Sequence, residues 1–177
     1  RGLLGRDKSL GISSLSEGID FDILRHPQRD PGCRYDAVRF LRAFANSHRR
    51  ALVIFDHHGC GQESESSEKI EREVEQRLAS AGWQDRAAAI AIEPDLEAWV
   101  WSDSPSVAEA LGWHAGYIRL MRWLKKERFV AWPQKPANPK EAVRKAMHEA
   151  GKPLSPRIFS KIGGNRRAQP MPVSRFQ

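Results

Sequence analysis

Two short acidic segments follow apolar runs. Asp56-His57-His58 comes directly after Ala51-Leu52-Val53-Ile54-Phe55, and Glu93-Pro94-Asp95-Leu96-Glu97 comes directly after the apolar residues 87–92. A carboxylate leaving a buried strand is costly to desolvate unless a cation or hydrogen-bond donors meet it. In an extended segment His58 projects to the same side as Asp56. That pair offers one hard oxygen and one imidazole, a set that suits Mn²⁺, Zn²⁺ or Fe²⁺ better than Mg²⁺. The alternative is that Asp56 caps the turn by accepting from the Gly59 to Gly61 amides, with both histidines solvated. In the second segment Glu93 sits at a strand terminus and Glu97 lies one turn on, where the two can share a face. Asp95 near a helix N-terminus is accounted for by the helix dipole. Carboxylates converging from neighbouring strands are how phosphoryl-transfer sites hold Mg²⁺.

Hydrophobic periodicity supplies the elements that position these groups. Ile19 to Leu24 alternates apolar and polar residues and reads as a strand; His26-Pro27 through Pro31-Gly32 reads as a break. An amphipathic helix is expected from Tyr35 to Arg50, through Val38, Leu41 and Ala45. Residues 51–55 read as a strand buried on both faces. A second amphipathic helix runs from Glu65 to Ala81, with Ile70, Val74 and Leu78 on one face and Gly82 placed to stop it. A strand over 87–92 is followed by Pro94 at the first turn of a short helix through Trp101. Further helices are expected from Ser104-Pro105, over Tyr117–Glu127, and from Asn138-Pro139 to a stop at Gly151. Alternating helices and strands indicate an α/β fold with a mainly parallel sheet, whose sites lie at the carboxyl ends of the strands.

The chain has 177 residues, of which 40% are apolar and 29% charged, enough for a core without disulfides or structural metal. Cys33 and Cys60 make no disulfide framework and suit a reducing cytoplasm. No apolar stretch is long enough to span a bilayer, and no signal peptide is evident. Charge is unevenly spread. Residues 1–118 carry 14 basic and 19 acidic side chains, net −5, whereas residues 119–177 carry 15 and 3, net +12. A basic end of this kind suits a polyanion, because lysines and arginines that neutralise phosphates release counterions. A solubilising tail or a surface for an acidic protein fits the same composition equally well. The nucleic-acid candidates are Lys125, Lys126, Arg128, Lys140, Arg144, Lys145, Lys161, Arg166 and Arg167. Trp99, Trp101, Trp113, Trp123 and Trp132 are of a type that stacks bases, although Trp99 and Trp113 read as core. Cys60 has no positioned base beside it and reads as neither ligand nor nucleophile.

One order of motifs resembles a bacterial family. It runs through His26-Pro27-Gln28-Arg29-Asp30-Pro31-Gly32-Cys33, residues 53–61, Gly82-Trp83-Gln84-Asp85-Arg86-Ala87 and Ile92-Glu93-Pro94-Asp95-Leu96-Glu97-Ala98-Trp99-Val100-Trp101. It continues through Lys135-Pro136 and Pro139-Lys140-Glu141-Ala142 into Ser155 and Phe159. This is similar to the small Toprim-like proteins of methylation-associated anti-phage defence clusters. The resemblance implies a Toprim-like α/β fold and a role against phage DNA, beside other defence subunits. Toprim enzymes hold Mg²⁺ with a Glu ending the first strand and an Asp-x-Asp after a later one. Asp56 matches the first Asp, and His58 stands in place of the second. The first Glu has no counterpart here, and its strand is expected upstream of Arg1. The strand-to-Asp-His-His step also resembles phosphoesterases named for that triplet, which bind Mn²⁺. Those enzymes need an Asp-x-Asp-Gly turn that Asp20-Phe21-Asp22 does not supply.

The expected organisation is therefore a mainly parallel, Toprim-like (Rossmann-like) domain over 1–130 and a basic helical extension over 131–177. The Pro-rich polar end of that extension is expected to be truncated, altered or disordered. The function read from these features is a cytoplasmic, divalent-metal-dependent (Mg or Mn) nuclease acting on DNA. Asp56, Glu93 and Glu97 are its catalytic candidates and Asp56, His58 and Glu93 its metal ligands. A non-catalytic subunit that binds nucleic acid or a partner is the alternative. No membrane partner is expected.

Overall fold

The structure is a computed structural model that describes residues 11, 13–101, 105–129, 136–155 and 158. It is a small mixed α/β fold with a short parallel sheet flanked by helices. The chain divides into two compact units. One holds residues 24–99 and 136–140; the other holds residues 1–23, 100–135 and 141–177.

In the first unit α1 (Arg29–Tyr35) and α2 (Ala37–Leu41) lead into β1 (Ala51–Asp56), α3 (Ser67–Leu78) and β2 (Ala87–Ile92). The two strands pair in parallel, with Ala51 opposite Ala87 and Asp56 opposite Ile92. The helix expected over Tyr35–Arg50 starts earlier, at Arg29, and is broken at Asp36, whose φ of −118° leaves helical space. The Asp36 carboxylate accepts two bonds from the Arg39 guanidinium, while its N–H still bonds the Gly32 carbonyl and its carbonyl accepts from the Phe40 N–H. Helical structure also runs through the Pro31-Gly32 segment expected to break it. Proline is tolerated in a first turn, where its missing N–H has no partner to lose. Gly32 is required there for space: a Cβ would lie 1.9 Å from Nδ1 of His26.

Ser66 caps α3 by accepting from the Lys69 N–H at 3.3 Å. Ile70, Val74 and Leu78 pack with Val53, Phe55, Cys60, Trp83, Ala89 and Ala91 into the core of this unit. Cys60 is thus a core side chain. From the polar side of α3, Glu75 and Glu71 reach the sheet: their carboxylates accept from the Ala89 and Ala91 amides at 2.9 and 3.0 Å. These amides lie on the edge of β2 away from β1, so the helix supplies acceptors that a further strand would otherwise provide.

The expectation of a strand buried on both faces is corrected. Val53 and Phe55 are buried, but Leu52 is 57% and Ile54 49% exposed, and Ile90 opposite Ile54 is also exposed. Among the described residues only one face of the two-stranded sheet carries a helical cover, so the second set of apolar side chains remains in solvent.

In the second unit α4 (Pro105–Leu111), α5 (Tyr117–Lys126) and most of α6 (Pro139–Glu149) enclose a core of Val100, Trp101, Val107, Leu111, Leu120, Leu124, Val143 and Met147. Trp113 packs against it and donates its indole N–H to the Ala146 carbonyl at 2.9 Å. Gly151, with φ +65°, ends α6 and its N–H bonds the His148 carbonyl. The expected strand over Ile19–Leu24 is absent. The segment forms a turn in which Asp20 accepts from the Ser16 N–H, with one isolated bridge between Glu17 and Phe21. Ile19 is 85% exposed: alternation makes a strand only where a neighbouring strand and a core face receive it. Ser104, expected to cap α4, lies outside the described residues.

Candidate functional site

Asp56 ends β1, and the ladder continues beyond it. The His57 N–H bonds the Ile92 carbonyl at 2.9 Å and the His58 N–H bonds the Pro94 carbonyl at 2.8 Å. This pairing carries residues 93–94 alongside the histidine pair. The chain then turns back into a 3₁₀ turn, Leu96–Trp99, which starts two residues later than the helix expected from Pro94. Its first N–H, on Leu96, donates to Oδ1 of Asp56 at 2.8 Å. Asp56 therefore caps this turn, and the Gly59 and Gly61 amides are capped by Glu63 instead, at 2.8 and 3.2 Å.

The second oxygen of Asp56, Oδ2, has Nζ of Lys140 4.0 Å away. Asp30, in the first turn of α1, accepts from the Asp56 N–H at 3.1 Å. Asp95 is 1% exposed, and neither of its carboxylate oxygens has a hydrogen-bond partner among the described residues. Burial pushes the Asp56 carboxyl above its ordinary value of 3.8. Asp30 and Asp95 add to this, while the Leu96 N–H and Lys140 oppose it. Burial also raises Glu97 above 4.5; its backbone N–H and Lys140 pull the other way, and Asp95 and Asp56 push with burial. The site is thus a half-buried acidic group of Asp56, Asp95 and Glu97 with Asp30 behind it and Lys140 as counter-charge.

The other strand-end candidates go elsewhere. Glu93 is exposed, and its Oε2 accepts from the Ser67 hydroxyl at the start of α3, at 3.0 Å. His58 is exposed. His57 is buried, with Nε2 2.8 Å from the Glu65 carbonyl, an atom that only accepts, so this nitrogen carries the proton. Among the described residues, no group of three or more His, Cys, Asp or Glu stands close enough to hold a metal ion as placed. Asp95 is the residue that sequence reasoning passed over. The helix dipole accounted for its charge, and no sequence signal reports that it is sealed from water.

A cavity of about 770 Å³ is lined by Arg34, Tyr35, Val38, Glu73, Gln76 and Arg77, and none of these acids is among its lining residues. Arg77 spends its donors there on the Glu73, Tyr35 and Arg34 carbonyls, which makes it a brace between α1 and α3.

The basic candidates of the second unit lie on two helices. Lys125, Lys126 and Arg128 are exposed at the end of α5, and Arg144 and Lys145 are exposed on α6. Lys145 pairs with Glu141 at 3.3 Å and lies 5.1 Å above the Phe129 ring. Arg119 and Arg122 extend the α5 set. With Lys126 they follow i, i+3, i+7, opposite buried Leu120 and Leu124, and α5 contains no acidic residue. That spacing was available in the sequence. Trp113 and Trp123 pack against the core rather than standing free, and Trp101 is buried. The Trp99 side chain, Trp132, Lys161, Arg166 and Arg167 lie outside the described residues. Among the described residues no helix is long and apolar enough to cross a membrane. The chain matches no family model, no curated protein and no solved structure.

Proposed function

We propose that the chain is a divalent-metal-dependent phosphodiesterase acting on nucleic acid, in the anti-phage defence setting that its motif order resembles. One observation carries the proposal: the buried, unpartnered Asp95 carboxylate beside Asp56 and Glu97 at the carboxyl ends of two parallel strands. A carboxylate so placed is costly without a cation. The donor set fits a hard ion, because Mg²⁺ and Mn²⁺ favour carboxylate oxygen. Mg²⁺ in particular is held by one or two protein carboxylates and keeps several waters, so no cage of three ligands is needed. Asp56 through Oδ2 and Asp95 are the residues that would hold it. The bound ion would supply charge stabilisation at a transferring phosphoryl group.

The chain's own groups divide the remaining roles. Asp56 is oriented by the Leu96 N–H on one oxygen, which leaves the other for a ligand. Glu97, whose carboxyl holds its proton above the ordinary range, suits proton exchange with an attacking water. The exposed α5 set of Arg119, Arg122, Lys125 and Lys126 suits the phosphates of a nucleic acid. Thermal melting with Mn²⁺ or Mg²⁺ tests the proposal. Stabilisation in the wild type that is lost in Asp56→Ala is expected; no shift with either ion would overturn it.

A second reading, a non-catalytic nucleic-acid-binding subunit, is favoured by Lys140 standing over Asp56 as its counter-charge. In that case DNA binding persists in Asp56→Ala and is indifferent to divalent ions.

A further inference from the structure

We propose that Lys140 is the resident counter-cation of the strand-end carboxylates, and that a divalent cation enters this site in competition with its ammonium group. The inference rests on the reading that these carboxylates take a divalent ion. Asp56 Oδ1 is engaged by the Leu96 N–H at 2.8 Å, so Oδ2 is the oxygen left for a cation. Lys140 Nζ lies 4.0 Å from that same oxygen, at the outer limit of an ion pair.

Asp95 provides the second, independent observation. Its carboxylate is 1% exposed and accepts no hydrogen bond among the described residues, so the acidic group is under-neutralised even with Lys140 present. Lys140 is also the cation whose charge acts on both Asp56 and Glu97, while Asp95 acts on both in the opposite sense.

The anchoring of Lys140 suits an exchangeable charge. It is the second residue of α6, directly after Pro139, which is fully buried, so the backbone at this point is fixed. The lysine side chain itself is 60% exposed. A flexible four-carbon stem with a strongly hydrated end leaves such a position at little cost. An ion bound to Oδ2 at about 2.0–2.1 Å would face the ammonium as a like charge in the same space, so the carboxylates favour one or the other.

The test uses the full chain as wild type, Lys140→Met and Lys140→Arg. Each is melted in metal-free buffer and titrated with Mn²⁺ by calorimetry. Lys140→Met should melt lower without metal and bind Mn²⁺ about fivefold tighter, the factor one unit charge at 4 Å is worth in water. Lys140→Arg should stay near wild type in both. Equal Mn²⁺ affinity in wild type and Lys140→Met would overturn the competition, and an unchanged metal-free melting point would overturn the counter-cation role. If no variant binds Mn²⁺ but Lys140→Met still melts lower, the counter-cation role stands and the metal-dependent reading above falls instead. Should Lys140→Met not fold, the wild type decides through the side-chain NMR signal of Lys140 during a Mg²⁺ titration. A signal that moves with the binding midpoint supports exchange; one that stays fixed at saturation overturns it.

Discussion

Asp95 is sealed from water without a donor among the described residues, and its negative charge falls on the carboxyls of Asp56 and Glu97. Such a group weakens the metal-free fold and strengthens any state in which a cation reaches it. Asp95→Asn is therefore expected to raise the metal-free melting temperature by a few degrees, a shift worth about 1 kcal/mol in a chain of this size. The same variant should lose most of the stabilisation by Mn²⁺. Asp56 and Glu97 make a companion prediction about pH. Both carboxyls are raised, chiefly by burial, so the folded chain holds these protons more tightly than the unfolded chain. Stability they contribute is present at low pH and falls as pH rises upward from their ordinary values of 3.8 and 4.5. Urea unfolding of wild type against Asp56→Asn from pH 4 to 7 should show the wild type declining relative to the variant. A constant difference would count against burial as the cause. None of this is legible in the sequence, because residue type and spacing report which groups leave a strand but not which become sealed. Asp56 and Glu97 stand out by their position after apolar runs. Glu93 stands out on the same ground, yet its carboxylate serves Ser67.

At the level of elements, the pairing of α3 with β2 depends on two glutamates of the helix. Glu71 and Glu75 lie one turn apart on α3 and accept from alternate amides of β2, so the helical repeat meets the strand repeat. Glu71→Ala leaves the Ala91 N–H without its acceptor and should cost about 1–3 kcal/mol in denaturant unfolding. Glu71→Gln, which keeps a carbonyl acceptor, should cost less. Faster amide exchange at Ala91 in the alanine variant, with Ala89 less affected, would localise the effect. The elements that periodicity read well are those with a full apolar face against a core: α3, α5, α6 and both strands. Ile70, for example, is fully buried, and Ile70→Ala should cost about 2–5 kcal/mol. Ile19–Leu24 failed because alternation carries no information about a partner strand. Over Tyr35–Arg50 the backbone leaves helical space at Asp36, a break that the spacing of Val38, Leu41 and Ala45 does not report.

Across the whole molecule, the division of charge seen in the sequence has a structural counterpart in each unit. The strand-end acids belong to one unit and the basic face of α5 to the other. Reversing Arg119, Arg122 and Lys126 to Glu should weaken binding to duplex DNA and lower the slope of log K against log salt by about 0.9 for each phosphate no longer neutralised. An unchanged slope would move the nucleic-acid interface away from α5. The short sheet has a consequence of its own. With the outer amides of Ala89 and Ala91 already taken by Glu71 and Glu75, β2 is a finished border, and enlargement of the sheet is confined to the opposite flank. Any ribbon recruited there would turn β1 into an interior strand. Asp56 would then stand at the middle of a wider crest rather than on its rim.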